Sequence, residues 1–368
     1  MKKSILLLVL IMFIPCLSYG EDLNLDGQNY ILIEEKSGRV LVEKNSNVKL
    51  PMASTTKIMT AILAIEQGVM DEEIKIFKND VNVGGSSIYL KEGERIKLED
   101  LTYGLMLRSG NDSAVAIANH ISGSEEEFVK LMNKKAKEIG AINTHFTNPH
   151  GLHDDNHYST AYDLALIARY AFNNEKFEEV VKSKSYRVKN EREYDYFVNK
   201  NKTLWDYNGG DGVKIGYTSD AGRCLVASAS RNNMRLIAVT LKDYNWFNDA
   251  YSLMDYGFEN YSLYPIYLKD QLITQISVLK GKKDKLPLVP KNDFFYPMQN
   301  GEKNNIKISV RTDETVETPI LKGTELGSVE VYLNGQLIRK DKLIAKYDIL
   351  KESFFKRLFK QHFKEENN

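Results

Sequence analysis

Two side chains one helical turn apart, Ser54 and Lys57, form the first candidate for chemistry in the sequence. They stand at the start of an apolar segment with helical periodicity, so the hydroxyl and the ammonium share one face of a helix. A serine is a weak nucleophile until a base takes its proton, and a buried lysine with a lowered pKa can be that base. Ser-x-x-Lys also occurs by chance as a helix cap beside a solvated lysine, so the pair alone does not define a site.

Two further motifs strengthen this hypothesis. Ser109-Gly110-Asn111 stands in a connection between two predicted helices, and Lys214-Ile215-Gly216 opens a region rich in predicted strands. Each motif alone is compatible with a turn or with a surface lysine before a glycine. In this order, the three motifs resemble the Ser-x-x-Lys, Ser-x-Asn and Lys-Thr-Gly set of class A β-lactamases and penicillin-binding proteins.

Longer segments extend the resemblance. They are LPMASTTKIMT (50–60), MLRSGNDSA (106–114), FTNPHGL (146–152) and GRCLV (222–226). Over about residues 25–345 the chain resembles a low-molecular-mass penicillin-binding protein of the D-alanyl-D-alanine carboxypeptidase type. The resemblance implies an α/β (α+β) penicillin-recognising serine acyl-transferase fold, in which an antiparallel sheet carries an inserted helical subdomain and is followed by a small all-β domain. It also implies hydrolysis of peptidoglycan stem peptides ending in D-Ala-D-Ala and inhibition by β-lactams, with no cofactor and no metal.

The resemblance assigns catalytic roles to four residues. Ser54 attacks the carbonyl between the two terminal D-alanines, and Lys57 acts as the base. Ser109 relays a proton to the departing D-alanine. Asn111 orients Lys57 and the substrate amide, and water then releases the acyl-enzyme.

The same resemblance assigns substrate binding to the third motif. Lys214 supports Ser109 and attracts the C-terminal carboxylate of the substrate. The backbone N–H groups of Ser54 and of Tyr217, the residue after Gly216, form the oxyanion hole by family analogy. The expected site is therefore built from one helix start, one helix connection and one strand.

Two departures from the family pattern concern the substrate carboxylate. Ile215 stands where the family usually has Thr or Ser, and segment 242–247 lacks the arginine that many relatives place there. Thr218 lies on the same strand face as Gly216 if the strand is regular, so its hydroxyl is a candidate replacement. The departures leave open a second hypothesis, in which the chain is a weakened or inactive homologue that binds peptidoglycan.

A β-lactamase is a rival interpretation of the motifs. Fast deacylation needs a base, commonly a glutamate between the second and third motifs, and residues 141–174 contain no glutamate. A β-lactamase also lacks the additional β domain. The sequence therefore favours the carboxypeptidase.

A metal enzyme is the other rival, because one segment is crowded with imidazole and carboxylate groups. These are His145, His150, His153, His157, Asp154 and Asp155. Such groups are zinc ligands, but Pro149 and Gly151 preclude the regular helix that presents a His pair at i,i+4. The family-like segment 146–152 accounts for the position better.

The elements that must position these residues follow from hydrophobic periodicity. Helices are predicted at Thr55–Gln67, Leu98–Arg108, Asp112–Ile121, Glu125–Glu138, Thr160–Phe172 and Trp246–Phe258. Strands are predicted at Tyr30–Ile33, Val40–Val42, Arg223–Ala229 and Met234–Leu241. The simplest architecture is a sheet built from both ends of this region, with the helical block inserted between its strands.

The chain divides into four segments. Residues 1–20 are predicted to be a cleaved signal peptide, because two lysines precede an apolar run that is shorter than a membrane span. Residues 21–264 form the catalytic domain, residues 265–345 form the small β-rich domain, and residues 346–368 form an amphipathic helix. Export, with this helix bound to the outer face of the cytoplasmic membrane, is the expected localisation.

Charge and cysteine content exclude other classes. The chain of 368 residues has 50 basic and 50 acidic side chains and no basic patch interleaved with aromatic residues before its C-terminus, so nucleic acid is not an expected partner. Removal of residues 1–20 leaves Cys224 as the single cysteine, so no internal disulfide can form. An exported chain of this composition must rely on its core.

Overall fold

The computed structural model describes residues 23–189 and 192–353, so the predicted signal peptide lies outside the described residues. In chain order the α-helices are α1 (Lys57–Gln67), α2 (Leu98–Tyr103), α3 (Asn111–Ser122), α4 (Glu125–Ile139), α5 (Ala161–Ala171), α6 (Glu175–Lys182), α7 (Thr203–Asp206) and α8 (Trp246–Asn260). The strands are β1 (Asn29–Glu34), β2 (Val40–Lys44), β3 (Glu73–Lys75), β4 (Arg95–Lys97), β5 (Ser185–Arg187), β6 (Tyr196–Val198), β7 (Gly210–Thr218), β8 (Gly222–Arg231), β9 (Met234–Leu241), β10 (Ser262–Tyr267), β11 (Thr274–Leu279), β12 (Lys285–Pro290), β13 (Phe294–Met298), β14 (Ile306–Thr312), β15 (Thr315–Glu317), β16 (Glu325–Leu333) and β17 (Gln336–Ala345). None of the described helices is long and apolar enough to cross a membrane.

The main sheet has the strand order β2-β1-β9-β8-β7 and is antiparallel throughout. Its strands come from distant parts of the chain, since Ile31 of β1 lies opposite Val239 of β9. Helices α1 to α7 are inserted between β2 and β7, and this agrees with the helical block that the sequence predicts between the strands. In this sheet β7 is an edge strand, so one side of its backbone faces outward.

Alternate residues of β1 face different layers, as the period of two in a strand requires. Ile31 and Ile33 pack into a core cluster with residues of α1, α3 and α5. Leu32 packs into a second cluster with residues of α8. Both faces of the sheet are therefore covered, and strands such as Met234–Leu241 are apolar at nearly every position.

Several elements differ from the sequence prediction, and three of the differences lie in the helical block. The helix that is predicted for Leu98–Arg108 ends as an α-helix at Tyr103 and continues as a π-helical segment, Gly104–Arg108. The first helix begins with a 3₁₀ turn, Ala53–Thr56, before α1. Helix α6 is not among the predicted elements; its N-cap is Asn174, whose side chain accepts a hydrogen bond from the Lys176 N–H at 2.9 Å.

The C-terminal β-rich unit contains a six-stranded sheet with the order β14-β16-β17-β12-β11-β15 and a separate pair, β10 and β13. Backbone hydrogen bonds to this unit continue beyond β17. Ile349 and Ile320 exchange two of them, each 2.9 Å long, and the Glu352 N–H donates to the Lys280 carbonyl. The described residues 346–353 thus pack with the β-rich unit, whereas the sequence hypothesis begins the amphipathic helix at residue 346. The rest of that helix lies outside the described residues.

Candidate active site

Ser54 lies in the tight 3₁₀ turn that leads into α1. Ala53 before it has φ +47°, a left-handed conformation that costs a non-glycine residue roughly 1–2 kcal/mol. Gly151, at φ +90°, packs directly on this turn, because a Cβ at that position would lie 2.0 Å from the Ala53 carbonyl oxygen. A glycine is therefore required where segment 146–152 presses against the Ser54 turn.

Lys57 is fully buried, and its side-chain nitrogen has three partners. Nζ lies 3.0 Å from Ser54 Oγ, 2.7 Å from Asn111 Oδ1 and 2.5 Å from the His150 carbonyl oxygen. The oxygens of Asn111 and His150 can only accept hydrogen bonds, so a neutral amine donates both of its N–H groups to them. Its lone pair is then left for the Ser54 hydroxyl.

Burial and neighbouring cations favour the neutral amine. Desolvation lowers the pKa of Lys57 well below its usual value, the charges of Lys214 and Lys200 lower it further, and Asp112 opposes them. Desolvation, together with the charge of Lys200, also lowers the pKa of buried Lys214 to about 7. Both buried amines of the site are therefore shifted toward the neutral form.

Asn111 is fixed in the first turn of α3 by the loop between β3 and β4. Its Nδ2 donates to the Gly84 carbonyl at 2.5 Å, which orients Oδ1 toward Lys57. Asp112, which is 1% exposed, holds the same loop, since its carboxylate accepts hydrogen bonds of 3.1 Å from the N–H groups of Ile88 and Leu90. The loop and the amide of Asn111 are thus positioned together.

The third motif lies in β7, at the outward edge of the main sheet. Gly216 lies directly against the Ser54 turn, because a Cβ there would be 2.8 Å from the Ser54 backbone nitrogen. Tyr217 follows with an exposed side chain. Glycine at this position is what allows the backbone of β7 to approach Ser54.

The side chains of Ile215 and Thr218 point in different directions. The pairing of β7 with β8 is regular from Gly212 to Thr218, so Thr218 shares a strand face with Gly216. The Thr218 hydroxyl accepts a hydrogen bond of 3.1 Å from the Ala221 N–H in the turn after β7. Ile215 lies on the opposite face, where it packs against the apolar cluster beneath α8.

Of the eight residues that the sequence singles out, Ser54, Lys57 and Asn111 are joined by hydrogen bonds and Gly216 contacts the Ser54 turn. Ser109 is 7% exposed and has φ +64°, and its hydroxyl makes no hydrogen bond to the other site residues that the structure describes. Sequence reasoning missed Lys200 and Asp112. Asp112 directly follows Asn111, whereas nothing in the local pattern distinguishes Lys200.

His157, one of the candidate metal ligands in the sequence, is hydrogen-bonded to the turn that carries Ser54. Its Nδ1 accepts a hydrogen bond of 3.0 Å from the Thr147 N–H, so Nε2 carries the hydrogen and donates it to Thr56 Oγ1 at 2.7 Å. The Thr56 hydroxyl in turn donates to the Ala53 carbonyl at 2.8 Å. Burial lowers the pKa of His157 to about 4. Within residues 23–189 and 192–353, no group of three or more His, Cys, Asp or Glu side chains is arranged to hold a metal ion.

Comparison with known proteins matches residues 18–245 to the D-alanyl-D-alanine carboxypeptidase family and residues 261–351 to the C-terminal domain of penicillin-binding protein 5. The chain belongs to the D-alanyl-D-alanine carboxypeptidase family. D-alanyl-D-alanine carboxypeptidase DacF of Bacillus subtilis is 38% identical over 344 residues, which cover 89% of this chain and 87% of the relative. DacC of Escherichia coli is 33% identical over 91% of this chain and 87% of the relative.

A solved relative shows the same architecture. Penicillin-binding protein 5 of Haemophilus influenzae superposes on this carboxypeptidase with a TM-score of 0.76 and 31% identity, covering 89% of this chain and 98% of that structure. These findings confirm the predicted family, the acyl-transferase fold and the carboxypeptidase activity. They also support the predicted binding of penicillin and the predicted action on the cell wall. Nothing in them favours the hypothesis of an inactive homologue.

Proposed function

We propose that this carboxypeptidase removes the terminal D-alanine from peptidoglycan stem peptides through an acyl-enzyme on Ser54, with Lys57 as the base. The 3.0 Å contact between Lys57 Nζ and Ser54 Oγ carries this proposal. Both other partners of Nζ are neutral carbonyl oxygens, and burial disfavours the ammonium. A neutral amine beside a serine hydroxyl is the arrangement that nucleophilic catalysis needs.

In the acylation step, Ser54 Oγ forms a bond to the carbonyl carbon between the two D-alanines while its proton passes to Lys57 Nζ. The C–N bond then breaks, and the departing amine takes a proton by way of Ser109. Asn111 keeps Lys57 in place and contacts the substrate amide. Water attacks the resulting ester, which releases the shortened peptide and restores the Ser54 hydroxyl.

In this proposal the substrate binds along β7. Lys214 attracts the terminal carboxylate, and the N–H groups of Ser54 and Tyr217 stabilise the oxyanion, with a contribution of about 3 kcal/mol from each donor. The contact of Gly216 with the Ser54 turn supports this placement of the two N–H groups. Thr218, on the same strand face as Gly216, provides a further polar group for the substrate. In this proposal β-lactams acylate Ser54 as well.

The test of Ser54 is a substitution that removes only its hydroxyl. Ser54→Ala is expected to abolish both labelling by a fluorescent penicillin and release of D-alanine from a D-Ala-D-Ala peptide, with nearly unchanged thermal unfolding. Ser219→Ala, in the exposed turn after β7, is the matched control and should keep both activities. Wild-type levels of either activity in Ser54→Ala would refute the assignment.

The domain division and localisation extend the proposal. Residues 1–20 act as an export signal, residues 21–264 form the catalytic domain, and residues 265–345 form the β-rich domain. The outer face of the cytoplasmic membrane would hold the enzyme near newly exported wall precursors. In the part of the chain from 354 to 368, a helical plot places five apolar residues opposite four basic ones. The apolar residues are Phe354, Phe355, Leu358, Phe359 and Phe363, and the basic ones are Lys356, Arg357, Lys360 and Lys364.

This C-terminal segment is expected to lie in the membrane interface, because an apolar face opposite a basic face binds anionic headgroups. The mature protein should co-sediment with anionic vesicles, and high salt should weaken the binding. A version ending at Ser353 retains the pairing of Ile349 and Glu352 with the β-rich unit and is expected to stay in solution. Equal sedimentation of both versions would contradict the anchor.

A further inference from the structure

A pocket of about 290 Å³ is formed where the loop between β3 and β4 meets the segment before β6, and no step of the proposed mechanism uses it. Its lining residues are Tyr89, Lys91, Glu94, Arg192, Glu193 and Tyr194. The two tyrosines are exposed, Tyr89 to 56% and Tyr194 to 45%. Their ring centres lie 4.5 Å apart and the ring planes are tilted by 34°, so the two rings form one aromatic surface that is open to solvent.

The loop between β3 and β4 connects this pocket to the catalytic residues. The Asn111 N–H donates to the Ser86 carbonyl at 2.7 Å, and the Asp112 carboxylate accepts from the Ile88 N–H at 3.1 Å. Tyr89 follows Ser86 by three residues, a span of at most about 11 Å. Since Asn111 contacts the substrate amide in the proposed function, the stem peptide that precedes this amide begins beside the loop of Tyr89.

The aromatic surface is held in place by one buried side chain. Tyr89 has φ +61°, a left-handed conformation that is uncommon for a bulky residue. Arg192, whose side chain is 7% exposed, donates from Nη2 to the Ile88 carbonyl at 2.8 Å, and its Nε lies 3.2 Å from the Glu94 carboxylate. Because Tyr194 is two residues after Arg192, this guanidinium joins the segments that carry both rings. A surface that is fixed before binding loses little conformational entropy on binding.

The chemistry of the pocket suits a sugar ring. The C–H groups on the face of a pyranose pack against an aromatic ring, while the hydroxyl groups at its edge need polar partners. Lys91 and Glu193 supply these partners, since their side chains are largely exposed and their ion pair of 3.3 Å is weak in water. A carboxylate accepts hydrogen bonds from sugar hydroxyls, and an ammonium donates to the carbonyl oxygen of an N-acetyl group.

We propose that this pocket binds a sugar of the wall glycan that carries the stem peptide. Stem peptides branch from a chain of N-acetylated amino sugars, so a pyranose ring stands at the end of the peptide that is remote from D-Ala-D-Ala. The two acidic and two basic side chains of the pocket balance, which matches a ligand that is polar without a large net charge. The inference rests on the proposed function, because it takes the stem peptide to be bound at Ser54.

The test compares two substrates that share one stem peptide ending in D-Ala-D-Ala. One is the free peptide, and the other carries the N-acetylglucosamine–N-acetylmuramic acid disaccharide at its N-terminus. For the full mature protein, kcat/KM is measured by release of D-alanine, and the wild type is expected to prefer the glycosylated peptide by about fivefold or more, as one aromatic stacking contact predicts. Tyr194→Ala is expected to bring the ratio close to one, and Tyr194→Phe, which keeps the ring, should retain most of the preference.

Tyr264→Ala is the matched control, because Tyr264 is an exposed tyrosine of β10 in the β-rich unit. Its ratio should equal that of the wild type. Equal kcat/KM values of the wild type for both substrates would overturn the inference, as would an unchanged ratio in Tyr194→Ala or an equal loss on both substrates.

A binding measurement separates this inference from the proposed function. Peptide-free glycan strands are titrated into Ser54→Ala by calorimetry, and binding is expected there but not in the double variant Ser54→Ala with Tyr194→Ala. Absence of binding to Ser54→Ala, or equal binding to both variants, would contradict the glycan site. Failure of the proposed function would look different, since Ser54→Ala would then keep turnover of both substrates.

Discussion

Replacing Asn111 by aspartate places a carboxylate about 2.7 Å from Lys57 Nζ with almost no change in side-chain volume. At an effective dielectric constant of about 20, unit charges about 3 Å apart interact by roughly 5–6 kcal/mol, which corresponds to about four pKa units. The new charge stabilises the ammonium, so the pKa of Lys57 rises. We expect Lys57 in Asn111→Asp to remain protonated at neutral pH and to be unable to take the Ser54 proton.

The assay is the rate of acylation by a fluorescent penicillin between about pH 6 and about pH 10. The wild-type rate should reach its plateau at a lower pH than the variant rate. Near neutral pH the variant should be slower by about a hundredfold or more, and it should recover as the pH rises. The aspartate also loses the Nδ2–H bond to Gly84, but a displaced loop would slow acylation equally at every pH.

The control is Asn133→Asp, which makes the same replacement away from the site, where the amide of Asn133 bonds to the backbone of Phe146. Its pH profile should match that of the wild type. A profile of Asn111→Asp that superposes on the wild type, or a loss that does not recover at high pH, would refute Lys57 as the base. Recovery at high pH would show that the slower acylation in Asn111→Asp is caused by protonation of Lys57.

Two further outcomes follow from the same geometry. Ile215 packs beneath α8, but β7 is an edge strand, so a hydroxyl at position 215 is expected to reach a charged acceptor at the outer edge. Ile215→Thr should therefore raise the rate of acylation by penicillin about tenfold; an unchanged rate would show that another group already binds the carboxylate or that the hydroxyl stays beneath α8. The lowered pKa of His157, about 4, means that the unfolded chain binds its proton first, so the free energy of unfolding should fall as the pH drops from about 6.5 to 4, by up to about 3 kcal/mol. Denaturant unfolding at several pH values measures this loss, which should be smaller in His157→Gln; an equal loss in both proteins would contradict the role of His157.

The sequence predicts the parts of the site that depend on local order. Ser54 and Lys57 meet because three residues separate them at a helix start, and Asn111 follows a helix connection. The central strands are also predictable, since Met234–Leu241 is an apolar run after a turn. In each case the information lies within a window of a few residues.

The remaining features depend on contacts between distant segments, so periodicity does not reveal them. Lys200 affects the pKa of Lys57 although 143 positions separate them in the sequence. The bond from His157 to Thr56 joins a loop to a turn about a hundred residues earlier. The direction of the Ile215 side chain follows from the register of β7 and from the packing of α8, neither of which the motif itself contains.

The reactivity of Ser54 depends on the kind of oxygen that surrounds Lys57. Its two fixed acceptors are an amide oxygen of Asn111 and the backbone carbonyl of His150, and neither carries a charge. The next residue, Asp112, carries a carboxylate that accepts hydrogen bonds from the N–H groups of the loop, and none of the hydrogen bonds that the structure describes joins it to Lys57. A carboxylate in direct contact would stabilise the ammonium and remove the base, so the fold supplies dipoles to hold the amine and keeps the charge one residue away.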